Sequence, residues 1–326
     1  VPSPRIILAD LDFEVKVYES PARSRPIPAR RRAGCPGGAT ATISSMPETK
    51  RIAVLGAGNM GAAMIGGILK AQVAKPGEIL ATTRTPERAA EVAARYGIRA
   101  QAGNNREAAA ESDIVLLAVK PGVLGTVLQE IRDVLHEGQI LVSLAAVAPI
   151  RLIERLIARR MPVFRAMPNI PVVIEEGATA IAANSIATAE HRELVERIFR
   201  AVGVVCFVDE EAMDAVTALS GSGPAYVYMV IEALIAGGLK MGLSHEVATR
   251  LAEQTVLGAA RLVKETGIHP AILRDQVITP GGVTISAIHE LERHGLRAML
   301  ISAVETATNH SRARSRALLE QWKAAD

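Results

Sequence analysis

Gly56-Ala57-Gly58-Asn59-Met60-Gly61 follows directly on the apolar run Ile52-Ala53-Val54-Leu55 and opens a helical stretch reaching about Lys70. Six residues of G-x-G-x-x-G are weak evidence alone, but at a strand-to-helix junction they constrain the fold strongly. Gly56 would make the tight turn, Gly58 would let the backbone approach a ligand, and Gly61 would let the helix pack on the strand. The free N–H groups and positive dipole of the first helical turn then suit an anion. Gly56, Gly58, Asn59, Met60 and Gly61 are therefore candidate contacts to a dinucleotide pyrophosphate. A tight strand–helix turn without a ligand is the alternative.

The pattern continues as alternating elements. Buried-strand candidates are Ile79 to Thr83, Ile114 to Val119, Ile140 to Ser143, Val163 to Met167, Thr179 to Ala183 and Val204 to Val208. Helical stretches such as Pro86 to Tyr96, Glu107 to Ser112 and Ala189 to Ala201 lie between them. Strands spaced by helices predict an α/β fold with a parallel, doubly wound, Rossmann-like sheet. Beyond Asp209 the strand signal ends. Residues 210–326 read as Ala/Leu-rich helices punctuated at Ser220–Pro224, Gly242–Ser244, Gly267–Pro270 and Thr279–Gly282. The expected domains are 46–209, dinucleotide-binding, and 210–326, all-helical.

The end of the second strand selects the dinucleotide. An NAD site usually has a carboxylate there for the ribose 2′-OH. Here it reads Ala81-Thr82-Thr83-Arg84-Thr85, with no acid. Arg84, with the Thr82 and Thr83 hydroxyls, suits a 2′-phosphate, so NADPH is the expected cofactor and NADH the alternative. Ala118-Val119-Lys120-Pro121 closes the fourth strand at its carboxyl end, where ligands of such sheets sit, so Lys120 and Pro121 should border the cofactor.

Two turns stand out in the second half. Leu219-Ser220-Gly221-Ser222-Gly223-Pro224 precedes a helix from Ala225, and its small residues permit close approach of either a ligand or another helix. Thr279-Pro280-Gly281-Gly282-Val283-Thr284 leads into a helix through Leu291. Successive N–H groups and two threonine hydroxyls there suit a carboxylate. An ordinary Gly-rich helix–helix turn is the alternative. No G-x-S-x-G elbow occurs, and the seven histidines show no H-x-x-x-H spacing, so neither a serine hydrolase nor a metal site is expected.

Charge first suggests an acidic partner, because 37 Lys+Arg stand against 34 Asp+Glu and the sequence pI is about 9.0. Eight of the basic and five of the acidic residues fall in residues 1–50, leaving 29 of each in 51–326. A neutral body argues against nucleic acid. Residues 1–45 are Pro-broken and carry five arginines between Arg23 and Arg32. They read as a disordered leader or an upstream start before Met46. Arg30-Arg31-Arg32 and Ala33-Gly34-Cys35 lack the apolar stretch that an export or lipoprotein signal needs. Two distant cysteines, Cys35 and Cys206, suit a reducing compartment, hence the cytoplasm. The charge-free run Ala215 to Ile231 falls short of the roughly 20 residues of a membrane span and is broken by Gly, Ser and Pro.

Taken together, the motifs resemble the pyrroline-5-carboxylate reductase family. Those that carry the resemblance are Ile52 through Gly61, Ala118-Val119-Lys120-Pro121, Arg165-Ala166-Met167-Pro168-Asn169, Ala218 through Tyr226, and Leu273-Arg274-Asp275 followed by Thr279 through Thr284 and Glu290-Leu291-Glu292. The similarity runs from about Met46 to Ala317. It implies NAD(P)H-dependent reduction of the cyclic imine 1-pyrroline-5-carboxylate to L-proline. Thr83 and Arg84 would join the glycine turn in holding NADPH, with Asn105 near the adenosine, Ala118 and Lys120 along the cleft and Met167, Pro168 and Asn169 by the nicotinamide. Thr279, Gly281, Gly282 and Thr284 would take the substrate, with Thr284 at the ring nitrogen as the catalytic candidate. The resemblance also implies a homodimer, with the substrate turn at its interface, and larger rings. One departure stands out: Ser143-Leu144-Ala145-Ala146 is followed by Val147, where the family usually has Gly.

Rival readings are weaker. A β-hydroxyacid dehydrogenase carries a lysine four residues after its G-x-G and an asparagine beyond it. Val227 stands at that spacing from Gly223, and neither Lys nor Asn occurs before Lys240. A non-catalytic NADP-binding regulator would not need the Thr279–Thr284 turn.

Overall fold

The computed structural model describes residues 50–323; the expectation for the leader lies outside them. Eight strands form one sheet in the order β3-β2-β1-β4-β5-β6-β7-β8. They are β1 (Ile52–Leu55), β2 (Ile79–Thr83), β3 (Arg99–Ala102), β4 (Ile114–Leu117), β5 (Ile140–Ser143), β6 (Val163–Met167), β7 (Gly177–Ala183) and β8 (Gly203–Phe207). The helices between them are α1 (Asn59–Lys70), α2 (Pro86–Tyr96), α3 (Asn105–Ala110), α4 (Pro121–Ile131), α5 (Ile150–Ile157) and α6 (Ala189–Arg200).

The first six strands are parallel, as the alternation of elements predicts, but β7 runs antiparallel to β6. Only residues 168–176, including the short 3₁₀ turn Ile170–Ile174, connect the two. A parallel crossover needs a dozen or more residues, so the chain can only fold back on itself. β8 returns parallel to β7 through α6.

Strands β1, β2, β4 and β5 are wholly buried, and apolar layers cover both faces of the sheet. Met64, Ile65 and Ile68 of α1 pack with Val92 of α2 and Ile198 and Phe199 of α6 on one face. Leu124, Val127 and Leu128 of α4 pack with Ile153 of α5 on the other. Helix α2 begins where Thr85 accepts a hydrogen bond from the Arg88 N–H with Pro86 as first helical residue, and ends at Gly97 with φ +66°. These are the residues that start and stop helices.

Residues 210–323 are helical. A 3₁₀ turn and the short α7 (Met213–Val216) lead through a π-helical turn, Thr217–Gly221, into α8 (Gly223–Lys240). Then come α9 (His245–Thr266), α10 (Pro270–Gln276), α11 (Val283–Arg293) and α12 (Leu296–Lys323). The break expected at Ser220–Pro224 is instead a widened helical turn. The Ser222 N–H reaches back to the Thr217 carbonyl at 2.9 Å, and the Ser220 and Ser222 hydroxyls donate to the carbonyls of Val216 and Thr217. Pro224 has no N–H for the Ser220 carbonyl; the Asn169 amide donates to that oxygen at 3.1 Å instead. The helical path is thus unbroken from Glu210 to Lys240, long and apolar enough to cross a membrane by length and composition, and its apolar window is unburied within the chain. The shorter span read from the sequence is corrected by this π turn.

Helix α12 ties the helical part to the sheet. Leu319 joins the core cluster of α4 and α5, and Trp322 packs against it. A Cβ at Gly125 of α4 would overlap the Trp322 ring. Ser311 and Ser315 of α12 both donate to Asp214 of α7.

Candidate functional site

The carboxyl ends of β1, β2, β4 and β6 converge on one edge of the sheet, where ligands of such folds sit. Gly56 there has φ +93°, a conformation L side chains avoid. A Cβ on Gly56 would lie 2.8 Å from Val119 Cγ1 and 3.1 Å from the Ala118 carbonyl oxygen. One on Gly61 would lie 2.7 Å from the Gly56 oxygen. Gly58 differs, because a Cβ there would meet nothing within 4 Å. The turn is therefore packed at its first and last glycines and open at the middle one. Gly58 precedes α1 with no side-chain cap, and the first turn of α1 holds no acidic residue. Those features fit an anion at the helix N-terminus.

The β2 end meets the turn from the side. The Gly56 and Ala57 N–H groups both donate to the Thr82 carbonyl, at 3.1 and 2.7 Å. The Thr82 hydroxyl, expected to face a phosphate, is buried. It accepts from the Gly56 N–H at 3.3 Å and donates to Asn105 Oδ1 at 2.7 Å. Asn105 Nδ2 donates to Glu130 at 2.8 Å. Thr82 and Asn105 thus brace the glycine turn from beneath. Thr83 is buried and donates to the Thr85 carbonyl, leaving its oxygen lone pairs for a further donor. Arg84 is exposed, and among the described residues no hydrogen bond or ion pair engages its guanidinium.

β4 ends at Leu117, so Ala118 and Lys120 lie in the loop beyond it. The Ala118 N–H donates to the Leu55 carbonyl at 2.8 Å. Lys120 is the exposed residue preceding α4, and Pro121 is the first residue of that helix. At the β6 end Met167 is half-buried, and its Cε lies where a Cβ on Gly221 of the π turn would collide. Pro168 is buried. Asn169 accepts from the Ala178 N–H at 2.9 Å and donates to Ser220, so its amide joins β6, β7 and the π turn. After β5, Val147 has φ +59°, in the left-handed region. A β-branched residue is strained there.

Beneath this edge, Arg165 on β6 is 4% exposed, and its Nη1 lies 3.4 Å from Glu210. Burial pushes the guanidinium below its usual pKa, while Glu210 and Asp214 oppose the shift. Glu210 also accepts from the Ile150 N–H at 2.6 Å. Arg165 and Glu210 thus join β6 to the start of the helical part.

The Thr279–Thr284 turn is built differently. Gly281 has φ +68°, and the Gly282 N–H donates to the Thr279 carbonyl at 2.9 Å. A Cβ on Gly282 would collide with the Thr279 side chain. Gly282 precedes helix α11 with no side-chain cap, and the first turn of α11 holds no acidic residue. No hydrogen bond within the described residues occupies the Thr279 or Thr284 hydroxyl. Thr279, Pro280 and Gly281 are exposed and Val283 is 89% exposed; the main packing partner of α11 is α12. The chain brings the expected cofactor residues together but leaves Thr279, Gly281, Gly282 and Thr284 on an open helical surface.

Sequence reasoning missed Arg88. Its guanidinium reaches the Ala57 carbonyl at 3.2 Å through Nε and the Gly58 carbonyl at 3.4 Å through Nη2. A single charged residue three positions after a helix cap carries no signal that separates it from a solvated one.

Residues 210–314 match the family model for pyrroline-5-carboxylate reductase dimerisation, and residues 51–147 match the one described as NADP oxidoreductase coenzyme F420-dependent. A pyrroline-5-carboxylate reductase of Methanosarcina acetivorans is 40% identical over 81% of this chain and 98% of its own length. One of Pseudomonas aeruginosa is 40% identical over 84% of this chain and 98% of its own. The solved pyrroline-5-carboxylate reductase of Coxiella burnetii superposes with a TM-score of 0.77 at 37% identity, covering 82% of this chain and 98% of its own. The Plasmodium falciparum pyrroline carboxylate reductase solved with NADP bound gives 0.75 at 30%, covering 82% and 99%. Identity at this level, across nearly the full length of these relatives, places the chain in the pyrroline-5-carboxylate reductase family.

Proposed function

We propose that this chain is an NAD(P)H-dependent oxidoreductase that reduces the cyclic imine 1-pyrroline-5-carboxylate to L-proline, the closing step of proline biosynthesis. One observation carries the reading: a single chain holds both the glycine turn open at Gly58 and the Thr279–Thr284 turn, each opening an uncapped helix with no acid in its first turn.

When bound, the nicotinamide supplies hydride. Gly56 and Gly58 shape the turn that the pyrophosphate approaches, and the backbone N–H groups of Asn59, Met60 and Gly61 hold it. Thr83 and Arg84 take the 2′-phosphate, which favours NADPH over NADH. Asn105, Ala118, Lys120 and Pro121 shape the cleft, and Met167, Pro168 and Asn169 form its nicotinamide end. The Val283 and Thr284 N–H groups hold the substrate carboxylate, with the Thr279 and Thr284 hydroxyls beside them. That orients the ring so that its imine carbon comes within ~3–3.5 Å of the hydride donor. The Thr284 hydroxyl holds the proton at the ring nitrogen.

The working unit is a homodimer. Exposed Val227, Met229, Val230 and Leu234 of α8 and Leu251 and Leu257 of α9 form an apolar surface that a second copy covers. The open substrate turn of one protomer completes the cofactor cleft of its partner, and dimers assemble into larger rings. This covering also accounts for the apolar 210–240 run without a membrane. Cytoplasmic location and indifference to nucleic acid follow from the paucity of cysteine and the neutral charge of residues 51–326. The test is NADPH oxidation on addition of 1-pyrroline-5-carboxylate, with L-proline identified as product and the assay repeated without residues 1–45. Oxidation by both forms is expected. A folded dimer that binds NADPH but forms no proline overturns the reading.

A further inference from the structure

We infer that Arg88 is a positioning residue of the cofactor turn, fixing the direction in which the first N–H groups of α1 point. The inference rests on the reductase reading, because it concerns how that reaction's cofactor is held.

Arg88 sits in the first turn of α2, and its side chain is 29% exposed. Glu91, one helical turn on, pairs with Nη1 at 2.7 Å and holds the fork in place. The other two nitrogens face the Ala57 and Gly58 carbonyls. A trans peptide is planar, with its C=O and N–H pointing in opposite directions. Holding the Gly58 oxygen toward α2 therefore turns the Asn59 N–H away from α2. Gly58 needs such a constraint: it has no side chain, its surroundings are open, and glycine rotates more freely than any other residue. The Ala62 N–H also donates to the Gly58 oxygen, at 2.9 Å, so Arg88 reinforces the first bond of α1 from outside the helix. The Ala57 oxygen is held in the same way. That leaves the Gly58 N–H on the Gly56 carbonyl at 2.8 Å and the next N–H groups free for the ligand.

Arg88 acts here through backbone carbonyls, so its effect should not depend on the 2′-phosphate. Arg84 is the contrast, an exposed guanidinium with no engagement inside the chain. Direct binding of NADPH and of NADH to the full chain, followed by nicotinamide fluorescence, separates the two. Arg88→Ala is expected to weaken both dinucleotides by the same factor, about tenfold. In turnover the loss should fall on the cofactor KM, with kcat moving far less, and the imine KM should not follow. Arg84→Ala is expected to weaken NADPH while sparing NADH. Arg88→Lys keeps the charge and the stem but gives up the two-pronged geometry, and should lose nearly as much as Ala; it also serves if Arg88→Ala folds poorly. Amide exchange at Asn59 and Met60 without cofactor should accelerate in both Arg88 variants. Full rescue by Lys, or a loss confined to NADPH, makes Arg88 a charge contact to the ligand and overturns the positioning role. Wild-type affinity for both dinucleotides in Arg88→Ala overturns it too. Wild-type chain that binds neither dinucleotide overturns the reductase reading itself, and this inference with it.

Discussion

The molecule contains two glycine turns that open helices, one before α1 and one before α11, and they differ in what holds them. Both lack a side-chain cap and an acid in the first helical turn. The first is held by its surroundings: Val119, Ala118 and Val54 press on Gly56 and Gly61, Thr82 and Asn105 brace it from below, and Arg88 reaches its carbonyls. The second is held by itself. Only Thr279, within the same turn, closes on Gly282, and the loop is otherwise open. A turn fixed by its own chain is ready to bind before any partner arrives. A turn fixed only locally needs a second surface to make a closed site. The difference matches the proposed reading, in which one chain builds the cofactor site and two build the substrate site.

The largest effect should come from adding one methyl group at different places in the first turn. Gly56→Ala forces a Cβ to 2.8 Å from Val119 Cγ1 at φ +93°, and is expected to destabilise the chain by roughly 2–4 kcal/mol. NADPH affinity should fall by roughly a hundredfold or more, about 2.7 kcal/mol. Gly58→Ala adds the same atom into open space at φ −73°. Its melting temperature should stay within about 2 °C of wild type, while NADPH affinity still falls, because the added methyl enters the volume left for the ligand. Melting curves with and without NADPH read both variants. Equal melting losses in the two would mean that the turn is not packed as described.

The second turn can be tested by mixing subunits. Gly56→Ala removes the cofactor half of a site and Thr284→Ala the substrate half. Thr284→Ala alone should lower kcat about tenfold or more with a smaller change in substrate KM. If each site joins the two halves across the dimer, a mixed dimer has one site with both lesions and one with neither. Random re-assortment of equal amounts should then restore about a quarter of wild-type sites. If each chain builds its own site, every site in the mixture carries one lesion and no activity returns. Steady-state assays before and after dissociation and remixing decide between them.

The contrast also explains what could be read from the sequence. Ile79–Thr83, Ile140–Ser143 and Val163–Met167 were legible as strands because buried parallel strands are continuous apolar runs. Pro86–Tyr96 was legible because Thr85, Pro86 and Gly97 mark its ends. Arg99–Ala102 escaped notice because this edge strand reads Arg-Ala-Gln-Ala, with no buried residue and no apolar run. The direction of β7 was hidden because an apolar strand reads the same both ways; the short connection decides it. Ser220–Pro224 read as a loop because Gly, Ser and Pro usually make one, and the Asn169 amide that sustains the π turn lies 51 residues away. Both glycine turns were legible from residue type as turns that open helices. The support of the first turn was not, since it comes from residues distant in sequence, Thr82, Asn105 and Val119 among them.

Arg165 and Glu210 test whether the embedded part depends on the helical part. Glu210→Ala leaves the Arg165 guanidinium buried without its nearest carboxylate and frees the Ile150 N–H. Breaking a buried pair by removing one partner costs about 3–5 kcal/mol, and the 31% exposure of the Glu210 side chain points to the lower end. Chemical denaturation should show that loss. Glu210→Gln keeps an acceptor for the Ile150 N–H and should lose less. A loss below about 1 kcal/mol for Ala would mean that solvent replaces the carboxylate and that the two parts are only loosely coupled.

The smallest effect lies between the two turns, at Val147. Its φ of +59° puts a β-branched side chain in the left-handed region, immediately beyond β5 and beside the cofactor edge of the sheet. Glycine adopts that conformation without the Cβ clash, a difference of about 1–2 kcal/mol. Glycine also loses more backbone freedom on folding, which offsets roughly 0.5–1 kcal/mol of the gain. Val147→Gly is therefore expected to stabilise the chain by about 0.5–1 kcal/mol, a rise of a few degrees at most in melting temperature. Val147→Ala relieves the β-branching but keeps a Cβ at positive φ, so it should recover only part of that. If Val147→Gly destabilises instead, packing of the half-buried valine side chain outweighs its backbone strain, and the β5 loop belongs with the parts of the cofactor edge held by their neighbours.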